Sequence, residues 1–311
     1  MKRVLVTGAS GFLGRACVAG LAGAGYAVRG LSRSPRAIAD SEVDAVEVAA
    51  FYATSPWFPQ FDAALAGVDA VVHLAGRAHY PGDSNIEALW RDNVDLTRGL
   101  AQRAAANGVG RFVFVSSIAA APPRAGASAG APLSGYGRSK FAAEQAVHKI
   151  GADTGLPWVI VRPALVAGPG APGNLARLCR AVQAGIPLPL RTVRNRRTLL
   201  GRDNFVDLVD RCLVSPAAPG GVWPAGDAQS LSTSEMVTEI AEGMGRSPRL
   251  LPMSPRLLRS ATALLGRAEI GAQLTGDFIV DADDTARALD WSRAVATSDT
   301  LRATGAAWRA T

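Results

Sequence analysis

Short apolar, β-branched runs alternate along the chain with longer amphipathic stretches. Residues 3–7 read as a strand, about 11–23 as a helix and 27–32 as a second strand, with further strands at 69–75, 111–116 and 158–162. Strand alternating with helix predicts a parallel, doubly wound sheet, because each crossover lays its helix against a sheet face. The runs Val68-Asp69-Ala70-Val71-Val72-His73-Leu74 and Phe112-Val113-Phe114-Val115 are nearly all apolar, as for central strands covered on both faces. Between them, 89–107 has helical spacing and stops near Gly108. After Pro163 the texture changes to a breaker cluster, Gly168-Pro169-Gly170-Ala171-Pro172-Gly173, then a short helix and an arginine-rich stretch. Residues 203–213 have helical spacing with an acidic start, 221–225 suit a short strand, and the tail is rich in Pro and Arg around 247–259 before turning helical.

Composition narrows the class. With 311 residues, 48% of them hydrophobic and 19% charged, the chain can bury a substantial core, and disorder is excluded as its description. The basic start Met1-Lys2-Arg3 is followed by no long apolar segment with a small-residue cleavage site, and no run reaches membrane-spanning length. A cytoplasmic protein without membrane insertion is expected. Cys17, Cys179 and Cys212 are too widely spaced for a disulfide framework or a zinc site, and His73, His79 and His148 show no ligand spacing, so no metal is assigned. The net charge of +7 includes a cluster at Arg191, Arg194, Arg196 and Arg197. No recognition helix, zinc-finger spacing or aromatic platform accompanies it, so small phosphorylated ligands are expected rather than nucleic acid.

Candidate chemistry falls at two places. Gly8, Gly11 and Gly14 sit between the first strand and the first helix, where glycines let the backbone approach a pyrophosphate and the helix N-terminus offers free N–H groups. Where an acidic residue would meet the adenosine ribose of NAD(H), the chain has Arg33 and Arg36. Arginine there suits a 2′-phosphate, so NADP(H) is expected in preference to NAD(H). Tyr136 and Lys140 are four residues apart, about twenty residues after Ser116-Ser117. On a helix, such a pair shares a face with Cβ atoms roughly 5–6 Å apart. A tyrosine with the ordinary pKa of about 10 is only about one part in a thousand ionised at pH 7, so base work requires a lower value, which a neighbouring cation supplies.

The segments Thr7 to Gly14, His73-Leu74-Ala75-Gly76, Asn93-Val94-Asp95, Ser116-Ser117, Tyr136-x-x-x-Lys140 and Arg162-Pro163 occur in the order of the extended short-chain dehydrogenase/reductases, which the chain resembles over most of its length. Gly168-Pro169-Gly170 followed by Asn174, and Arg197 before Asp203-Asn204, resemble the nucleotide-sugar epimerase, dehydratase and reductase branch, most of all bacterial UDP-sugar 4-ketoreductases of O-antigen pathways. The resemblance implies an α/β, Rossmann-type domain from 1–166, with 203–225 returning to it, and a small C-terminal α/β substrate cap from 167–202 and 226–311. It implies that Ser117 hydrogen-bonds the sugar carbonyl, Tyr136 exchanges its proton and Lys140 holds the nicotinamide ribose. Cofactor contacts would come from Gly8, Ser10, Gly11, Phe12, Leu13, Gly14, Arg33, Arg36, Leu74, Ala75, Gly76, Asn93, Tyr136, Lys140 and Pro163. Substrate contacts would come from Ser116, Ser117, Asn174 and Arg197, the last clamping a sugar-nucleotide diphosphate, and a homodimer through two helices per subunit would follow.

Some positions depart from that pattern. Ala167 stands where tyrosine is frequent, Ala119-Ala120-Ala121-Pro122 replaces an aromatic-glycine, and Ala49-Ala50-Phe51 lacks an adenine-fixing Asp. Ile118-Ala119 stands where dehydratases carry an Asp-Glu pair, which disfavours elimination of water. The expected activity is NADP(H)-dependent reduction of the 4-keto group of a nucleotide-diphosphate sugar, with Arg33 favouring it. The alternatives are an NAD-dependent UDP-hexose 4-epimerase, a reductase of steroid-like or flavonoid-like ketones, and a non-catalytic dinucleotide-binding regulator.

Overall fold

The computed structural model describes residues 2–32, 58–77, 85–121 and 134–309. The chain divides into two compact units.

The first unit comprises Met1–Pro163, Val206–Ala225 and Asp284–Trp291. Its strands are β1 (Arg3–Thr7), β2 (Ala27–Leu31), β3 (Ala70–His73), β4 (Arg111–Val115), β5 (Trp158–Pro163) and β8 (Val222–Ala225). They form one parallel sheet in the order β2-β1-β3-β4-β5-β8. The central strands β3 and β4 are buried almost throughout, as their unbroken apolar runs require. The strand order reverses between β1 and β3, and in a doubly wound sheet ligands bind beyond the strand carboxyl ends at that reversal. The core beneath α2 (Phe58–Leu65) and α4 (Leu96–Ala106) is built from Phe61, Leu65, Leu100, Phe112 and Phe114, all essentially buried.

Helix α1 (Phe12–Gly23) follows β1 directly. Gly20 faces Val206 so closely that a Cβ there would lie 2.4 Å from Val206 Cγ1. The helix expected over 89–107 is broken into three parts: α3 (Ile86–Leu89), one π turn (Trp90–Asp95) and α4. A π turn adds a residue to the helical ladder, and such insertions cluster at functional sites. Here it carries Asn93. Helix α5 (Gly135–Thr154) starts on a Ser134 cap and ends at Gly155, whose φ of +77° closes the helix.

The second unit comprises Ala164–Phe205, Gly226–Asp283 and Ser292–Thr311. Strands β6 (Leu165–Ala167) and β7 (Arg197–Gly201) pair in parallel, and β9 (Ser230–Leu231) runs antiparallel to β7. Its helices are α6 (Asn174–Gln183), the start of α7 (Arg202–Val214), α8 (Thr233–Gly243), α9 (Pro255–Leu264), α10 (Ala268–Thr275) and α12 (Thr297–Arg309). Gly243 and Gly305 let α8 and α12 touch backbone to backbone, since a Cβ at either would lie 2.0 or 2.1 Å from a carbonyl oxygen of the other helix. Buried Asp227 gathers the backbone N–H of Gly201, the Asn204 amide and the Thr297 hydroxyl. The expectation of an unbroken 226–311 cap differs from this division. Helix α11 (Asp283–Leu289) lies largely in the first unit, where Thr285 donates to Pro224 O at 2.8 Å and Asp290 pairs with Arg211.

Candidate active site

Beyond β4, Ser116 and Ser117 lead into a single 3-10 turn, Ile118–Ala120. Ser117 Oγ accepts the Ala119 N–H at 3.1 Å, which leaves its one O–H to donate elsewhere. A side-chain hydrogen bond joins Ser117 to the Tyr136 phenol. Tyr136 is the second residue of α5, and the capping Ser134 Oγ accepts the Gly137 N–H at 3.0 Å. Gly137 permits the close approach, because a Cβ there would fall 2.4 Å from Ala119 O. One turn further along α5, buried Lys140 donates from Nζ to Val115 O at 2.9 Å and lies 4.4 Å above the Phe114 ring. Ser117, Tyr136 and Lys140 thus converge at the carboxyl end of β4. Ser116 is 5% exposed, and among the described residues its Oγ has no hydrogen-bond partner.

The electrostatics correct one expectation. Tyr136 is pushed above its ordinary value by loss of solvent, with the Ser117 hydrogen bond pulling the other way. Lys140 Nζ is held on Val115 O and over the Phe114 ring. Burial pushes Lys140 itself down to about 8, and the negative charge of Glu144 opposes that fall. Glu144 is 2% exposed and is gripped by Arg162, with Nε to Oε1 at 2.9 Å and Nη2 to Oε2 at 2.5 Å. A forked guanidinium–carboxylate pair of this kind fixes the carboxylate's position as well as its charge.

The glycine-rich turn stands at the carboxyl end of β1. Gly8 has φ +70°, and a Cβ at Gly14 would sit 2.0 Å from Gly8 O, so neither position admits a side chain. Gly11 precedes Phe12 and Leu13, and no side chain caps the N-terminus of α1. That leaves backbone donors and the helix dipole facing outward, a donor set suited to a diphosphate. Ser10 Oγ and Ser32 Oγ hydrogen-bond, and Arg15 donates to Ser10 O at 2.7 Å. Leu74, Ala75 and Gly76 follow β3, the neighbouring strand, and Pro163 ends β5. Arg33 and Arg36 lie outside the described residues.

Asn93 has a task the sequence did not disclose. Its Oδ1 accepts the Arg77 N–H at 2.8 Å, and its Nδ2 donates to Arg77 O and to Ser139 Oγ. Both amide hydrogens are therefore spent on the protein, tying the loop after Gly76 to α5 instead of reaching outward. Buried behind it, His73 Nδ1 meets Thr7 Oγ1 at 2.7 Å and Nε2 meets Thr97 Oγ1 at 2.9 Å. Thr97 gives its only hydroxyl proton to Asn93 O at 2.6 Å, so His73 carries its proton on Nε2 and accepts from Thr7 at Nδ1. Burial pushes His73 down to about 3, with the Lys140 charge adding to the fall.

In the second unit, Asn174 opens α6 and donates to Gln273 Oε1 at 3.2 Å. Arg197, at the start of β7, donates from Nη1 to Gln273 O and Gly276 O and lies 5.8 Å from the Phe278 ring. The two residues expected to meet a diphosphate thus share a neighbour on α10.

Comparison with known proteins agrees with this architecture. The chain is 34% identical over 302 residues to a UDP-glucose 4-epimerase of Vibrio cholerae, covering 93% of this chain and 90% of that one. It is 31% identical to a ceramide reductase of Caulobacter vibrioides, covering 84% and 77%. Among solved structures, UDP-glucuronic acid 4-epimerase from Bacillus cereus in complex with NAD superposes with a TM-score of 0.78 at 20% identity, covering 99% of both chains. Residues 4–226 match the model of the NAD dependent epimerase/dehydratase family. The sheet order, the glycine-rich turn after β1 and this match agree, and the chain belongs to the NAD dependent epimerase/dehydratase family.

Proposed function

We propose that this protein is an NAD-dependent 4-epimerase of a UDP-linked hexose. The observation that carries the reading is the 34% identity to a UDP-glucose 4-epimerase across nine-tenths of both chains. It favours this reading over the expected NADPH-consuming 4-ketoreductase. The relative's activity is the interconversion, and the arginines that favoured a 2′-phosphate lie outside the described residues. The same Ser117, Tyr136 and Lys140 serve either activity.

Gly8, Gly11, Gly14 and the N-terminus of α1 would hold the diphosphate of the dinucleotide, with Leu74 to Gly76 beside it and Lys140 at the nicotinamide ribose. When bound, NAD supplies an acceptor for hydride from C4 and a donor for its return. Tyr136 Oη takes the C4 hydroxyl proton as the carbonyl forms and gives it back when the alcohol is restored, so it begins and ends each turnover in the same state. Ser117 can stabilise the tyrosinate or the developing alkoxide, because its Oγ is fixed by the Ala119 N–H and it hydrogen-bonds the Tyr136 phenol. Burial works against ionising Tyr136, and Lys140, one turn along the same helix, would be the cation whose field favours the tyrosinate. Asn174 and Arg197 would bind the UDP diphosphate.

The test is to incubate the purified protein with UDP-glucose and, separately, UDP-N-acetylglucosamine, without added reductant, and follow the C4 proton by NMR. Appearance of the galacto epimer with no net change in reduced dinucleotide is the expected result. Stoichiometric oxidation of NADPH by a 4-keto sugar, with no epimer formed in its absence, would return the assignment to the reductase.

A further inference from the structure

Large exposed apolar side chains of the second unit gather at one hairpin. Leu257, Leu264 and Leu265 are 57%, 88% and 74% exposed, and Leu251 and Ile270 are also exposed. The hairpin is α9, a turn at Gly266 with φ +68°, and α10. It is closed on itself: a Cβ on Gly271 would lie 2.0 Å from Thr262 Oγ1, and Arg259 Nε donates to Thr275 Oγ1. The leucines are therefore not core side chains awaiting the partner helix. Leu258 fills that role and is buried, while Leu257, Ala261 and Leu264 recur at the spacing of a single outward helix face.

The surrounding charge is one-sided. The hairpin, residues 255–275, carries Arg256, Arg259 and Arg267 against Glu269 alone. An apolar tip flanked by Arg256 and Arg267 fits an anionic bilayer surface, where leucine enters the acyl boundary and guanidinium meets headgroup phosphate. Among the described residues no helix is long and apolar enough to cross a membrane, so such attachment is peripheral.

We propose that the tip of the α9–α10 hairpin docks this protein on anionic membrane surfaces. The proposal does not depend on the reaction assigned above.

Co-sedimentation of the full chain with vesicles tests it, comparing phosphatidylcholine alone with phosphatidylcholine containing phosphatidylglycerol. The expected result is binding only to the anionic vesicles, weakened by salt. Leu264→Ser with Leu265→Ser should lower the partition coefficient at least about tenfold, about 1.4 kcal/mol, and Arg256→Gln with Arg267→Gln should lower it on anionic vesicles, all with unchanged melting and NAD affinity. Equal binding to both vesicle types, or an undiminished double-leucine variant, would overturn the proposal. So would absence of vesicle binding together with a light-scattering mass that drops when the leucines are replaced, which would assign the patch to a second copy of the chain.

Discussion

Gly137→Ala adds one methyl group where Tyr136 meets Ser117. The new Cβ would lie 2.4 Å from Ala119 O, and contacts under 3.0 Å are not tolerated, so helix and turn must separate by at least 0.6 Å. Neither sideways escape is open, since Ala119 C lies at 3.3 Å and Ser134 Oγ, which caps the helix, at 3.4 Å. Overpacking of this kind costs about 1–3 kcal/mol of stability. The catalytic effect should be larger in proportion, because the displaced backbone carries both partners of the Ser117–Tyr136 hydrogen bond, and misplacement approaching 1 Å costs roughly a hundredfold in rate. Epimerisation followed by NMR and NAD affinity by fluorescence should separate the effects: kcat falls about a hundredfold while NAD affinity stays within about twofold. Unchanged kcat in a folded Gly137→Ala protein would refute the reasoning that this glycine sets the active geometry.

The same methyl group placed at Gly23, the last residue of α1, meets nothing within 4 Å, so Gly23→Ala should raise stability by roughly 0.5 kcal/mol in urea unfolding. Tyr136→Phe should abolish turnover and leave NAD binding intact by fluorescence titration; retained turnover would remove the phenol from the chemistry. Glu144→Gln leaves the Arg162 charge buried without its partner, which should cost about 3–5 kcal/mol and move the Lys140 titration further below about 8 in pH–rate profiles. Lys140 has a folded value of about 8 against 10.5 unfolded. Between those pH values the unfolded chain holds a proton the folded one has lost, so this residue makes stability rise with pH by about 3 kcal/mol. Cys17, Cys179 and Cys212, pushed up to about 12, 11 and 12, act in the opposite direction above pH 9. The difference between wild type and Lys140→Met therefore isolates the lysine, and an equal pH dependence of the two would count against its buried position.

The parallel sheet was legible because its central strands need continuous apolar runs, and Phe112 to Val115 supplies one that no helix of this length would. The glycine-rich turn was legible for a similar reason: Gly8 and Gly14 answer local backbone demands visible in three spacings. The break in the helix before α4 was not. Residues 89–107 keep helical periodicity, and the π turn forms because Asn93 finds Arg77 and Ser139, partners 16 and 46 residues away. Distance in sequence also hid the Glu144–Arg162 pair and the Asp227 hub. At the candidate catalytic residues the order Ser117, Tyr136, Lys140 marked which side chains would meet, but the direction of the Tyr136 shift depends on burial, which four-residue spacing does not encode.

The buried chain from Thr7 through His73 and Thr97 to Asn93 has a single polarity: each hydroxyl or imidazole proton is already committed to the next acceptor. Reversing it would require His73 to take a second proton, which its value of about 3 forbids near neutrality. Among the described residues, this buried chain is thus poorly suited to relay a proton. If the proposed epimerisation holds, a proton taken up by Tyr136 would find no relay through this chain, and keeping it at the site would let the same hydroxyl be restored.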